Sequence, residues 1–193
     1  MRGAWALLGA AVLVGAGCAS APPAPTEEEM NAAWMKAMNP GEPHARMARH
    51  CGDWDVAGRM WMAPGAPPTE STGVAKIRMV LGGRYQIQEY EGAFMGMTFQ
   101  GMGVAGYDNV RQVYFSSWFD SMGTGVMNSE GNPDASGAIV YLGEMPDPLG
   151  NSYRMREVLT EKGPDTILFE MYMQGLQWPE EGKMMELLYT RKK

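Results

Sequence analysis

The residues best equipped to do chemistry in this chain are its thioethers: nineteen methionines in 193 residues, with Met60-Trp61-Met62, Met95-Gly96-Met97 and Met171-Tyr172-Met173 as close pairs. On an extended strand an i, i+2 spacing turns both side chains of a pair to one face. Soft thioether ligands suit Cu(I), and the same flexible side chains also fill cores or line adaptable apolar cavities. Spacing alone leaves three uses open: core filler, cavity lining and copper ligation.

Other constellations are narrower. Gly101-Met102-Gly103-Val104-Ala105-Gly106 satisfies G-x-G-x-x-G, but a dinucleotide site needs a following helix whose N-terminus meets the pyrophosphate. Tyr107-Asp108-Asn109 and another strand-like segment follow instead. The glycines are therefore expected to let a strand bend, or to let a ligand or bulky neighbour approach the backbone. No G-x-S-x-G elbow occurs, and the only histidines, His44 and His50, precede the strand-like region. That distribution argues against a serine triad and against a histidine-ligated haem inside a barrel. His50 and Cys51 are adjacent and so diverge on a helix, which predicts a buried, inert Cys51 and a surface His50. No zinc ligand set is visible. No cofactor is expected, and an enzyme is the weaker reading.

Polar anchors are sparser. Asp120-Ser121-Met122-Gly123-Thr124-Gly125 gathers a carboxylate, hydroxyls and glycines in one turn after Trp118. The side chains there serve either as ligand contacts at a barrel mouth or as hairpin caps. Arg84, Glu89, Arg156 and Glu170 interrupt strand-like segments. Facing inward, they would pair across a lumen as specificity or register devices.

Strands must position these groups. From Gly52 to Arg191, short runs of β-branched, aromatic and Met residues are broken by Gly, Pro, Asn and Asp, which reads as all-β. Strands are predicted over 53–62, 71–81, 84–91, 97–107, 110–119, 123–130, 137–144, 152–161, 165–174 and 183–191. The compositions of 81–84, 107–110 and 147–151 are those of tight turns, so consecutive strands should pair. Such a meander must close to hide its edges, and an up-and-down barrel is the simplest closure. In the first strand Trp54, Val56, Met60 and Met62 share the face predicted to be interior. In the ninth, Ile167, Phe169, Met171 and Met173 oppose Leu168, Glu170 and Tyr172, and periodicity does not select the lumen face. Two short helices are predicted ahead of the barrel. Residues 27–38 follow Thr26 as N-cap, and 43–50 follow the Asn39-Pro40-Gly41 break.

The N-terminus carries an address. Arg2, an apolar run from Ala4 to Gly15 and small residues up to Cys18 form a secretory signal. A membrane-spanning helix needs about 20 apolar residues, more than this run supplies. Val14-Gly15-Ala16-Gly17-Cys18 reads as a lipoprotein cleavage box, and Pro-rich 19–26 as the tether behind it. The expected division is a signal peptide over 1–17, a lipidated tether and short helix over 18–40, and a barrel domain over 41–193. The expected location is the periplasmic side of a membrane, the outer membrane, anchored through lipid on Cys18. If Cys18 is acylated, Cys51 has no partner for a disulfide. A net charge of −6, with no Lys/Arg run longer than Arg191-Lys192-Lys193, argues against nucleic acid as a partner.

Gly52-Asp53-Trp54 resembles the Gly-x-Trp opening of lipocalins and other calycins, whose Trp plugs one barrel end. A wider set resembles an uncharacterised bacterial family known as a domain of unknown function. It comprises Pro43-His44, Cys51-Gly52-Asp53-Trp54, Pro64-Gly65-Ala66-Pro67-Pro68, Gly82-Gly83-Arg84, Phe99-Gln100-Gly101, Gly106-Tyr107-Asp108-Asn109, the Trp118–Gly125 run and Tyr189-Thr190-Arg191. The resemblance spans residues 40–191. It implies a compact barrel-like domain of exported proteins and no particular activity.

The combined expectation is an all-β, calycin-like antiparallel up-and-down barrel of about ten strands, preceded by one or two short helices, that binds a small apolar molecule in its interior. Trp54, Met60, Met62, Trp118, Phe169 and Met171 would supply apolar surface. Arg84, Glu89 and Asp120 would be the polar anchors. The alternatives are a Met-rich copper(I)-binding envelope protein and an accessory lipoprotein without a ligand.

Overall fold

The computed structural model describes residues 24–175 and 178–193. The leader over 1–17, Cys18 and the first part of the tether lie outside the described residues. Helix α1 (Glu27–Met38) starts at a capping box in which Thr26 and Glu29 satisfy each other's backbone N–H groups. It buries no residue. Its C-terminus is held by the Asn109 amide, which donates to the carbonyls of Lys36, Ala37 and Asn39. Helix α2 (Glu42–Ala48) is short, with Pro43 in its first turn.

Ten strands follow: β1 (Gly52–Met60), β2 (Thr69–Val80), β3 (Tyr85–Phe94), β4 (Met97–Asp108), β5 (Val113–Asp120), β6 (Met127–Pro133), β7 (Ile139–Pro146), β8 (Ser152–Gly163), β9 (Thr166–Gly175) and β10 (Trp178–Arg191). Each pairs antiparallel with its sequence neighbours, and β10 pairs with β1, so the sheet closes into the expected up-and-down barrel. Trp54 stands opposite Arg191 at one end of that closing seam and Met60 opposite Met185 at the other.

Alternation works as the sequence implies. In β1, Trp54, Val56 and Gly58 are buried while Asp55, Ala57 and Arg59 are exposed. One end of the barrel is plugged. Trp54, Val56, Ala75, Ile77, Tyr90, Ile167 and Tyr189 form one buried cluster, and Met47 of α2 joins Tyr114, Ile139 and Tyr141 in another. The opposite end carries the long connections 61–68, 121–126 and 147–151.

Three strand starts move by three residues or more from their expected positions. The fifth strand starts at Val113 because Asp108 Oδ1 accepts from the N–H groups of Val110 and Arg111 at 2.8 and 3.0 Å, folding that stretch into the turn. The sixth starts at Met127, since the Asp120 carboxylate takes the Met122 N–H at 2.9 Å and holds the glycine-rich run in a loop. The tenth begins at Trp178 and passes through Pro179 by an irregular register between Trp178 and Gly182.

The expectation for His50 and Cys51 is reversed. After α2 the chain tightens, with Arg49, His50 and Cys51 N–H groups each reaching back three residues to Arg46, Met47 and Ala48. This turn swings His50 under the barrel, where it is 5 % exposed, and leaves Cys51 only partly covered. Among the described residues no helix is long and apolar enough to cross a membrane.

Candidate functional site

Above the plug the barrel is hollow. A cavity of about 590 Å³ runs to the open end, within the range of small-molecule sites. Its wall is sulfur-rich: eleven of the nineteen methionines line it, along with Trp61, Phe94, Phe99, Trp118, Trp178 and Phe169. In β9 the inward set is Ile167, Phe169, Met171 and Met173, so Leu168, Glu170 and Tyr172 point outward.

Of the residues expected at the site, Met60, Met62, Trp118, Asp120, Phe169 and Met171 border this cavity. Met62 lies at the mouth, 51 % exposed. Trp54 does not line the cavity. It is wholly buried beneath it, donating from Nε1 to the His50 carbonyl at 3.0 Å and meeting Tyr189 edge-on. Arg84 and Glu89 lie away from the lumen. Arg84 donates to the Leu81 carbonyl within its own turn at the plugged end, and Glu89 pairs with Arg78 outside. In β3 the lumen takes Gln86, Gln88 and Tyr90, and a period of two sends Glu89 to water. Arg156 and Glu170 likewise pair outside, with Glu181 and Lys183. Exposed charges gain hydration there that a lumen would deny them. The Met95/Met97 pair sits on the β3–β4 hairpin, 67 % and 50 % exposed, and does not line the cavity.

Trp118 owes its pose to two glycines. A Cβ on Gly101 would fall 2.1 Å from Trp118 Cζ2, and one on Gly103 would fall 3.2 Å from Cε3. The indole therefore lies flat against the bare β4 backbone. The sequence pattern that mimics a nucleotide loop makes room for a ring. Asp120 fixes that ring by accepting from Trp118 Nε1 at 3.0 Å, while its other oxygen takes the Met122 N–H. Both Asp120 oxygens thus serve the wall and its turn.

The lumen also holds a carboxyl that sequence reasoning passed over. Glu157 of β8 borders the cavity yet is only 3 % exposed. Ser129 Oγ on β6 donates to its Oε2 at 2.9 Å. Burial pushes this carboxyl from 4.5 up to about 7, and the serine bond offsets only part of that. Tyr141 on β7 and Met171 on β9 stand directly opposite it in register. The available signal was the parity of β8: Met155, Glu157 and Leu159 alternate with Arg156 and Val158, placing Glu157 with the apolar set.

At the floor, His50 Nε2–H donates to Glu161 Oε1 at 2.6 Å, and Arg46 Nε reaches the same oxygen at 3.3 Å. Burial holds the His50 imidazole below its ordinary range, outweighing the opposing pull of Glu161. For Glu161, burial works upward, but the bonds from His50 and Arg46 prevail and keep its carboxyl low. This is a neutral imidazole against a carboxylate. Its members tie α2 to β8 and leave the floor closed. Among the described residues no three His, Cys, Asp or Glu side chains cluster as a metal site.

A family model described as "Protein of unknown function (DUF1579)" matches residues 39–191. No curated protein matches the chain. Among solved structures, the S-type phycobiliprotein lyase CPES from Guillardia theta is similar in fold: TM-score 0.56 at 12 % identity, covering 83 % of this chain and 97 % of that one.

Proposed function

The chain belongs to the DUF1579 family, and from that premise we propose that it is a binding protein which holds a small, largely apolar molecule inside its barrel. The observation that carries this reading is the hollow upper half: a cavity of about 590 Å³, open at one end, walled by thioethers and aromatic rings. Burying an apolar molecule there gains about 25 cal/mol per Å² removed from water. Flexible thioethers adapt the wall to its guest. The fold shared with the lyase from Guillardia theta is a barrel of the same kind, compatible with a guest in the lumen. N-phenyl-1-naphthylamine, which fluoresces when removed from water, tests the reading. Its emission should rise on titration with the protein, and Ser116→Trp, which fills the lumen, should abolish the rise. Equal emission from both proteins contradicts it.

A second reading is favoured by one row of sulfurs. Met60, Met185 and Met171 follow one another in register across β1, β10 and β9, all lining the cavity. Three thioethers in a row are soft donors of the kind that Cu(I) accepts. Copper retained under reducing conditions, and lost with Met60→Leu and Met185→Leu together, would support it. Elemental analysis without copper ends it.

The physiological setting proposed is an exported lipoprotein, anchored through Cys18 on the periplasmic side of the outer membrane. It rests on the leader and on the Pro-rich tether that follows. The barrel would then work beside a source of apolar molecules.

A further inference from the structure

The ionisable inventory of the lumen is one-sided. Among the described residues that line it there is no Lys or Arg; the ionisable side chains besides tyrosines are Asp120, Glu157 and His50. Asp120 commits its oxygens to Trp118 and Met122, and His50 commits Nε2 to Glu161. Glu157 keeps capacity. Its Oε2 takes the Ser129 hydroxyl, while its Oε1 has no hydrogen-bond partner among the described residues. No fully enclosed side-chain oxygen or nitrogen lacks a partner, so Oε1 borders the void.

No cation acts on that carboxyl, which answers only to burial and to Ser129; Arg46, whose charge reaches Tyr141 and Tyr114, is committed to Glu161 and the Gly137 carbonyl and does not line the cavity. Ser129 from β6, Tyr141 from β7 and Met171 from β9 face Glu157. Tyr141 and the nearby Tyr114 are the titratable neighbours, and burial pushes both phenols up, so they stay neutral. A carboxylate head group entering this lumen would meet acids without a countercharge and would lose its hydration. A nitrogen donor would instead complete Glu157 with a charge-assisted bond in a place shielded from water, and its carbon skeleton would lie on thioethers and rings.

Resting on the reading of the barrel as a binder of apolar molecules, we infer that its ligands are apolar compounds bearing a protonated nitrogen, with Glu157 as the pairing carboxylate and fatty-acid-like anions rejected. Upward displacement of the Glu157 carboxyl fits this role, since an empty lumen then leaves it only partly ionised near neutral pH and an arriving cation draws off the remaining proton.

Three probes with one alkyl chain and different heads separate the outcomes: dodecylamine, dodecanol and dodecanoate, titrated calorimetrically into the full chain. The amine should bind at least about tenfold more tightly than the alcohol, and dodecanoate should be weakest. Glu157→Gln should bring the amine down to the level of the alcohol while leaving alcohol binding intact, which shows that the variant is folded and its lumen open. Dodecanoate binding as tightly as the amine, or a preference for the amine that survives Glu157→Gln, overturns the head-group assignment and leaves apolar binding standing. Binding of none of the three overturns both.

Discussion

Ser129 Oγ donates to Glu157 Oε2 at 2.9 Å, joining β6 to β8 on the inner wall of the barrel, and no other hydrogen bond offsets the burial of that carboxyl among the described residues. Folding therefore favours protonated Glu157 and lifts it from 4.5 to about 7. A raised carboxyl binds more protons folded than unfolded, so its contribution to stability is greatest at low pH and declines as pH rises from 4.5 to 7. The full change is roughly 3 kcal/mol. Glu157→Gln should remove this decline and stabilise the empty protein at pH 8 by about 1–3 kcal/mol, measured by urea denaturation. A variant no more stable than the parent at pH 8 would place the carboxyl in water.

His50 works in the opposite sense. Its imidazole is neutral in the fold because burial holds it low, so the unfolded chain takes up the proton first as pH falls below 6.5 and stability drops. In a Glu157→Gln background the histidine slope is exposed: stability should rise with pH from 5 to 7, with His44, which burial also holds low, acting in the same sense. His50→Gln, which keeps a donor for Glu161, should reduce that slope, and the double variant with His44→Gln should flatten it.

Gly101 should tolerate no side chain. A Cβ there would meet Trp118 at 2.1 Å, whereas one at Gly125 would meet nothing within 4 Å. Gly101→Ala is expected to cost about 1–3 kcal/mol and to change Trp fluorescence. Gly125→Ala should stay within about 0.5 kcal/mol. Thermal unfolding of the two variants compares them directly.

Arg191 closes the plugged end. Its guanidinium lies 4.2 Å from the Trp54 ring centroid and donates to the carbonyls of Cys51, Arg49 and Pro164 and to Asp165. Arg191→Ala should cost about 2–4 kcal/mol, read in the midpoint of denaturation. Arg191→Lys should recover only part, because an ammonium cannot reproduce the planar fork.

Much of this architecture was legible because strand alternation and turn chemistry are local. Trp54, Val56 and Met60 announced an inward face by a period of two, and Asp108-Asn109 announced a hairpin. The ninth strand was ambiguous because Tyr172 is apolar enough for either side. Arg156 covers its outer face, with the guanidinium 4.0 Å from the ring centroid. Arg84 and Glu89 misled because a charge within a strand says nothing of parity until the register is fixed. His50 went astray through a turn geometry that composition does not encode. Glu157 was hidden by the reverse effect: a buried acid looks like any surface acid until β8 is seen to alternate around it.

The anchor proposal has its own check. Labelled palmitate should enter the parent protein and not a Cys18→Ala variant. Unchanged labelling would contradict it.

Native mass spectrometry of the protein isolated gently from its source cells shows whether the lumen holds a guest. The expected spectrum shows the chain carrying an added mass of a few hundred daltons, as fits a cavity of about 590 Å³, and Ser116→Trp should show the bare chain. A parent protein that is bare when isolated, and that remains bare after incubation with N-phenyl-1-naphthylamine, would contradict a ligand-holding lumen.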